Sequence, residues 1–292
     1  MTSRSTLRQA ARHGGFTLLE LIVVIVITGI IAGMIAIFVT RPVTAYFDTA
    51  RRAELTENAD TASRRIARDL RTALPNSVRV VASAGATYLE FIPTIGGGRY
   101  RQYPMASGSG NALDFSAADT AFGVLGPVPV YAAGDSIVIF NLGAGSVSDA
   151  YVGNNRALLS SANASATAFS SDTAAHVMTF GAIQFPAPSP LARFQVVQRP
   201  VTYACAPNAV TPAAGYLYRY TGYAFSAGQP APPAVVPQIQ LGNVAECDFD
   251  YDETAAISGV HTRTGTATLR LRLEQQGESV RLVHQMHVVN AP

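Results

Sequence analysis

From Leu21 to Val39 the chain reads LIVVIVITGIIAGMIAIFV, with no charged residue. The apolar stretch counted from Phe16 to Thr40 has 25 residues. As an α-helix it is about 37 Å long, enough for a bilayer core of about 30 Å. The pattern then changes. Leu55, Ala59, Ala62, Ile66, Leu70 and Ala73 recur at spacings of 4, 3, 4, 4 and 3, which is one face of a helix. The other face is charged, and Asp60/Arg64 and Arg65/Asp69 are i,i+4 pairs. Pro42 predicts a bend near the membrane exit, and Leu74-Pro75 predicts the helix end. One helix over 16–73 would span about 87 Å.

Beyond Asn76 the period shortens to that of strands. Candidate strands are Ser77–Val81, Thr87–Ile92, Ser136–Phe140, Val177–Phe180, Phe194–Gln198, Tyr216–Tyr220 and Gln238–Leu241. A hairpin closes the chain: Thr266–Leu273 and Val280–Val288 flank a turn at Gln275–Glu278. Leu269, Leu271 and Leu273 should face the core, with Arg270 and Arg272 in solvent. Ala106–Ala112, Gly143–Val147 and Ser160–Thr173 read as loops, and Gln229–Pro237, with four prolines, as an exposed extended connection. Gly96-Gly97-Gly98-Arg99 reads as a hairpin turn rather than a phosphate loop, because no helix start follows it. The predicted class is α+β: a long N-terminal transmembrane and stalk helix packed on an antiparallel β-sheet head. Its parts are a basic leader over 1–15, a transmembrane half over 16–40, an amphipathic half over 41–74 and a β-rich head over 75–292.

Composition sharpens this. Hydrophobic residues are 48% and charged residues 14%, too apolar for disorder. The formal charge of +2 gives no case for a nucleic-acid partner. Cys205 and Cys247 sit in no CxxC and no cluster with histidine. They are either one disulfide, in an oxidising compartment, or two buried thiols. The membrane segment favours the disulfide, which would close a loop of 43 residues.

The leader carries Arg4, Arg8, Arg12 and His13, no acid, and ends in Gly14-Gly15. An ordinary signal peptide does not fit, because the apolar run is too long and Arg41-Pro42 follows it without a small-residue cleavage site. A plain membrane anchor fits the length but leaves Glu20 unexplained, since a carboxylate in the apolar run is costly. Gly29 and Gly33 have the spacing of a close helix contact, or are simply tolerated glycines.

The segment GFTLLELIVVIVITGIIAGMI resembles the type IV prepilin signature. The resemblance implies cutting between Gly15 and Phe16 by a membrane prepilin peptidase, and methylation of the new Phe16 amine. Glycine lets the backbone enter a protease groove without a clash. Glu20 becomes the fifth mature residue. It would pair with the Phe16 ammonium of a neighbouring subunit and set the register of a filament. The implied partners are other major and minor pilins, the peptidase and the bacterial inner membrane, with the head in the periplasm.

The head is similar to minor pilins of the mannose-sensitive haemagglutinin (MSHA) pilus, and more distantly to J-type pseudopilins of type II secretion. The similarity rests on Leu74–Arg79, Thr202–Cys205, Gly215–Tyr220, Phe249–Asp252 and the ending His284–Pro292. It implies a scarce subunit that initiates or caps a filament, not an enzyme and without a cofactor. No nucleophile motif, P-loop or zinc motif appears. His284 and His287 would face opposite sides of a strand. Asp248, Asp250, Asp252 and Glu253 are either a solvated acidic edge or a weak calcium candidate. The rival reading is a membrane-anchored periplasmic binding module or enzyme that keeps its leader.

Overall fold

The computed structural model describes residues 15–105, 110–163, 176–252 and 264–291. The chain divides into two compact units, Met1–Arg51 and Arg52–Pro292. Helix α1 (Leu18–Leu70) gives its first part to one and its last part to the other.

From Leu21 to Phe38 the helix is apolar all round and exposed along its length. Leu18, Ile25, Met34 and Ile37 are exposed, and α1 is long and apolar enough to cross a membrane. The hydroxyl of Thr28, within the apolar run, donates to the Val24 carbonyl at 2.6 Å. That is the condition for a polar side chain to lie in lipid at low cost.

The second unit begins on the same helix, where Leu55, Ala59, Ala62, Ile66 and Leu70 are buried. Among the described residues the strands are β1 (Arg79–Ser83), β2 (Ala86–Phe91), β3 (Thr94–Tyr100), β4 (Asp119–Leu125), β5 (Ser136–Ile139), β6 (Arg156–Leu158), β7 (Val177–Ile183), β8 (Arg193–Val197), β9 (Val201–Ala206), β10 (Tyr216–Tyr220), β11 (Gln238–Leu241), β12 (Val244–Asp252), β13 (Thr264–Gln275) and β14 (Glu278–Val289). They form three antiparallel sheets, ordered β1-β2-β9-β10-β11, β12-β13-β14 and β6-β5-β8-β3-β4-β7.

The helix stripe forms one core with the first two sheets, through Leu89, Phe91, Tyr203 and Leu217 on one and Phe249, Leu269, Leu271 and Met286 on the other. Each such side chain contributes roughly 1.5–3 kcal/mol by leaving water. The third sheet curls until its outer strands meet: Leu159 bridges Phe180, and Ser160 N–H donates to the Thr179 carbonyl. The resulting small barrel is filled by Tyr100, Phe122, Phe180, Phe185 and Phe194. Leu74, Ile92, Val138, Tyr151 and Val197 make a smaller core that joins barrel to sheets.

The barrel is an insertion. β2 and β9 are paired neighbours, with Phe91 opposite Val201, so residues 92–200 leave the first sheet and return to the same rung.

Several sequence expectations change. The helix ends at Leu70, before Leu74-Pro75, because the chain is drawn into sheet contacts. Ala73 bridges Pro93, and Leu74 N–H donates to the Ile92 carbonyl. The Gly96–Gly98 turn is instead the middle of β3. A Cβ on Gly97 would lie 2.7 Å from the Phe194 carbonyl oxygen, and one on Gly98 2.9 Å from the Phe194 ring, so these glycines serve strand packing. Gln229–Pro237 is not freely exposed: Pro233 is buried, and Ala231 and Val235 pack on the outer face of the first sheet beside Tyr88 and Tyr220. Arg272 is largely covered, between Glu246 and Glu274, rather than in solvent. Ala106–Ala112 and Ser160–Thr173 lie partly outside the described residues.

Candidate functional site at the helix start

The first described residues, Gly15, Phe16 and Thr17, precede α1 and are exposed, Phe16 by 81%. A Cβ built on Gly15 meets nothing within 4 Å. Packing within the chain therefore does not ask for glycine at this position. The same holds at Gly29 and Gly33.

Thr17 caps the helix. Its carbonyl accepts from Leu21 N–H at 3.1 Å, and its hydroxyl oxygen accepts from Glu20 N–H at 3.3 Å. Thr17-Leu18-Leu19-Glu20 has the spacing of a capping box. Glu20 also lies in the first turn, where a carboxylate meets the positive end of the helix dipole. Sequence reasoning missed this role, although the Thr-x-x-Glu spacing was its signal. The bond uses only the Glu20 backbone N–H, so the carboxylate's own part in this turn is its place at the positive end of the helix. Its surroundings are open, as are those of the apolar residues that follow.

The remaining candidates lie in the second unit. Cys205 on β9 and Cys247 on β12 are bonded, with Cα atoms 5.3 Å apart, and tie the first sheet to the second. Asp248 and Asp250 face outward and both engage Arg270, at 3.2 and 3.5 Å. Asp252 ends β12, and Glu253 lies outside the described residues. Among the described residues no three His, Cys, Asp or Glu side chains are placed to hold a metal ion. His284 points toward the helix side of β14 and His287 to solvent.

Two polar networks were not foreseen. Glu90 is fully buried, opposite Arg79 on β1, whose Nε donates to it at 2.5 Å. The Tyr223 hydroxyl donates to the other oxygen at 2.9 Å. Arg79 also holds the Ser226 and Ala227 carbonyls and lies 3.6 Å from the centre of the Tyr151 ring. Burial pushes the Glu90 carboxyl above the usual range, while Arg79 and Tyr223 pull it back. In the second network Asp69 accepts from the Tyr203 hydroxyl at 2.7 Å and from Arg219 Nε at 3.2 Å. Burial, then Asp69, pushes the Tyr203 phenol upward. Glu90 is sealed from solvent, whereas Asp69 and Arg219 are partly exposed and line a cleft with Thr72, Phe91 and Arg199.

Comparison with known proteins places a prokaryotic N-terminal methylation motif at residues 11–36. The motif takes in Gly15, Phe16, Thr17, Glu20 and the start of the apolar helix. It supports a type IV pilin-like or pseudopilin subunit with a membrane anchor. No curated protein and no solved structure matches the chain.

Proposed function

We propose that the chain is a minor pilin or pseudopilin, made as a precursor, cut between Gly15 and Phe16 and methylated on Phe16. The observation that carries this is the methylation motif laid on a capped, uncovered apolar helix. Cutting removes three arginines and no acid, taking the formal charge from +2 to −1. It also leaves a cationic amine beside the positive end of the helix. Such an amine is unfavourable there unless a carboxylate answers it. Glu20 of a neighbouring subunit supplies that charge as the apolar helices bundle, and the pairing sets the axial register. The head resides in the periplasm, where Cys205 and Cys247 can oxidise.

Within this class the head's similarity favours an MSHA-type pilus, as a counterpart of its biogenesis protein MshO acting in filament initiation or at the tip. A type II secretion pseudopilin of the J type is the second reading. The partners are other pilins, met through the N-terminal helix, and the prepilin peptidase.

Intact mass of the chain extracted from cells with active peptidase tests the reading. The expected product begins at N-methylated Phe16; a chain that keeps Met1 in such cells overturns it. Glu20→Gln tests the charge of Glu20. Glutamine keeps the backbone N–H that Thr17 takes up but not the charge, so filament incorporation should fall while helix content is unchanged. Normal incorporation would overturn the register role of the Glu20 charge.

A further inference from the structure

Where the barrel leaves the first sheet, the second unit holds an open cleft of about 640 Å³. Small-molecule sites occupy roughly 300–1,000 Å³. The rung of Phe91 and Val201 lines it. Four charged residues from four places in the chain meet there: Asp69 near the end of α1, Asp135 before β5, Arg199 between β8 and β9, and Arg219 on β10.

These groups are held in place but only half used. Asp69 accepts from the Tyr203 hydroxyl at 2.7 Å and from Arg219 Nε at 3.2 Å on one oxygen, Oδ2. Its Oδ1 has no hydrogen-bond partner among the described residues, and neither do the two terminal nitrogens of Arg219. The side chains of Asp69 and Arg219 are 24% and 20% exposed, so the pair is fixed and still reachable. Arg199 gives one terminal nitrogen to the Gly222 carbonyl at 3.0 Å, and Asp135 accepts from Ala132 N–H on Oδ2.

The charges say what fits. Two arginines are matched by two aspartates, so the cleft has no net field to draw in an ion of either sign. What remains is a carboxylate oxygen beside guanidinium N–H groups. An amide nitrogen only donates and an amide oxygen only accepts, whereas a hydroxyl does both. Two hydroxyls on adjacent carbons can give to Asp69 and take from Arg219 together. Pro93 and Ile95, also on the cleft, offer apolar surface to the C–H groups between them.

We propose that this cleft binds a neutral sugar. Adjacent ring hydroxyls bond Asp69 Oδ1 and the terminal nitrogens of Arg219, and further hydroxyls are answered by Arg199, Gln198 and Thr221. The site lies in the second unit and does not rest on the filament reading, so a failure here leaves processing at Phe16 untouched.

The test uses the full chain in a detergent without a sugar headgroup and follows backbone amide NMR shifts. The neutral probes are lactose, cellobiose and N,N′-diacetylchitobiose; the counterparts are sialyllactose, free glutamate and a blocked alanine tripeptide. At least one neutral disaccharide should bind saturably and shift the amides of Thr72, Thr94, Gly134 and Gly222. A preference for the acetamido sugar would mark a cell-wall type of glycan as the source, and a preference for the others a plain hexose surface. Asp69→Asn should abolish binding. Arg199→Ala leaves the Tyr203–Asp69–Arg219 chain intact, so it should weaken binding about tenfold at an unchanged unfolding temperature. It decides the matter if Asp69→Asn unfolds. Binding of no neutral disaccharide, tighter binding of any counterpart, shifts away from the cleft, or full affinity in Arg199→Ala would each overturn the proposal.

Discussion

Glu90 is a buried carboxylate that answers to a single cation. Its pKa is raised by burial against the opposing pull of Arg79 and Tyr223, and the sign of its effect follows. A group whose folded pKa lies above its unfolded value stabilises the fold most at low pH. That contribution fades as pH rises from the ordinary glutamate value, about 4.5, through the folded one. Glu90→Gln should therefore flatten the fall in unfolding temperature across that window. Arg79→Met removes the guanidinium and should steepen it, with a cost of about 3–5 kcal/mol at neutral pH. Denaturant titrations at several pH values check both; parallel curves for the two variants would show that Glu90 does not govern the slope. Gly215 illustrates a different residue-level constraint. A Cβ there would stand 1.9 Å from the Val244 carbonyl oxygen, so the backbone of the loop after β9 must pass without a side chain.

At the scale of elements, the Cys205–Cys247 bond joins two strands that belong to different sheets but share one core with α1. The cysteines are 42 positions apart, and a loop of that size contributes about 4 kcal/mol in the chain-entropy account. Replacing both cysteines with alanine should lower stability by up to about that amount, measured by denaturant unfolding. Adding a reductant should then leave the variant unchanged while it destabilises the parent chain. What the sequence disclosed about elements follows from the period of each. The helix stripe at Leu55, Ala59, Ala62, Ile66 and Leu70 was legible because a single buried face imposes its spacing. The β13–β14 hairpin was legible because its leucines alternate and its turn is local. β3 was hidden, since its glycines answer to Phe194 on a strand far along the chain. The helix end was misplaced for a similar reason, because Ile92 and Pro93 capture Ala73 and Leu74. At the helix start the glycine, the phenylalanine and the acid were plain in the sequence, whereas the cap at Thr17 needed the turn in three dimensions. The Glu90 network could not be read either, because Arg79, Tyr223 and Tyr151 meet only through long-range pairing.

On the scale of the whole molecule, the second unit holds two main cores of different origin. One is built on the helix and two sheets, the other inside the barrel. Because Phe91 and Val201 share a rung, joining them by a tight turn in place of residues 92–200 should leave the first core and its disulfide in place. Thiol titration of the shortened chain should find no free cysteine, and helix content should persist. Stability should fall, since Leu74 loses the cover of Val138 and Val197. Free thiols in the shortened chain would mean that the barrel is needed to bring the first two sheets together. The doorway through which the barrel enters is one rung wide. A body of another size can hang there without shifting a single pairing between β2 and β9, which makes this junction a natural place to exchange one inserted module for another.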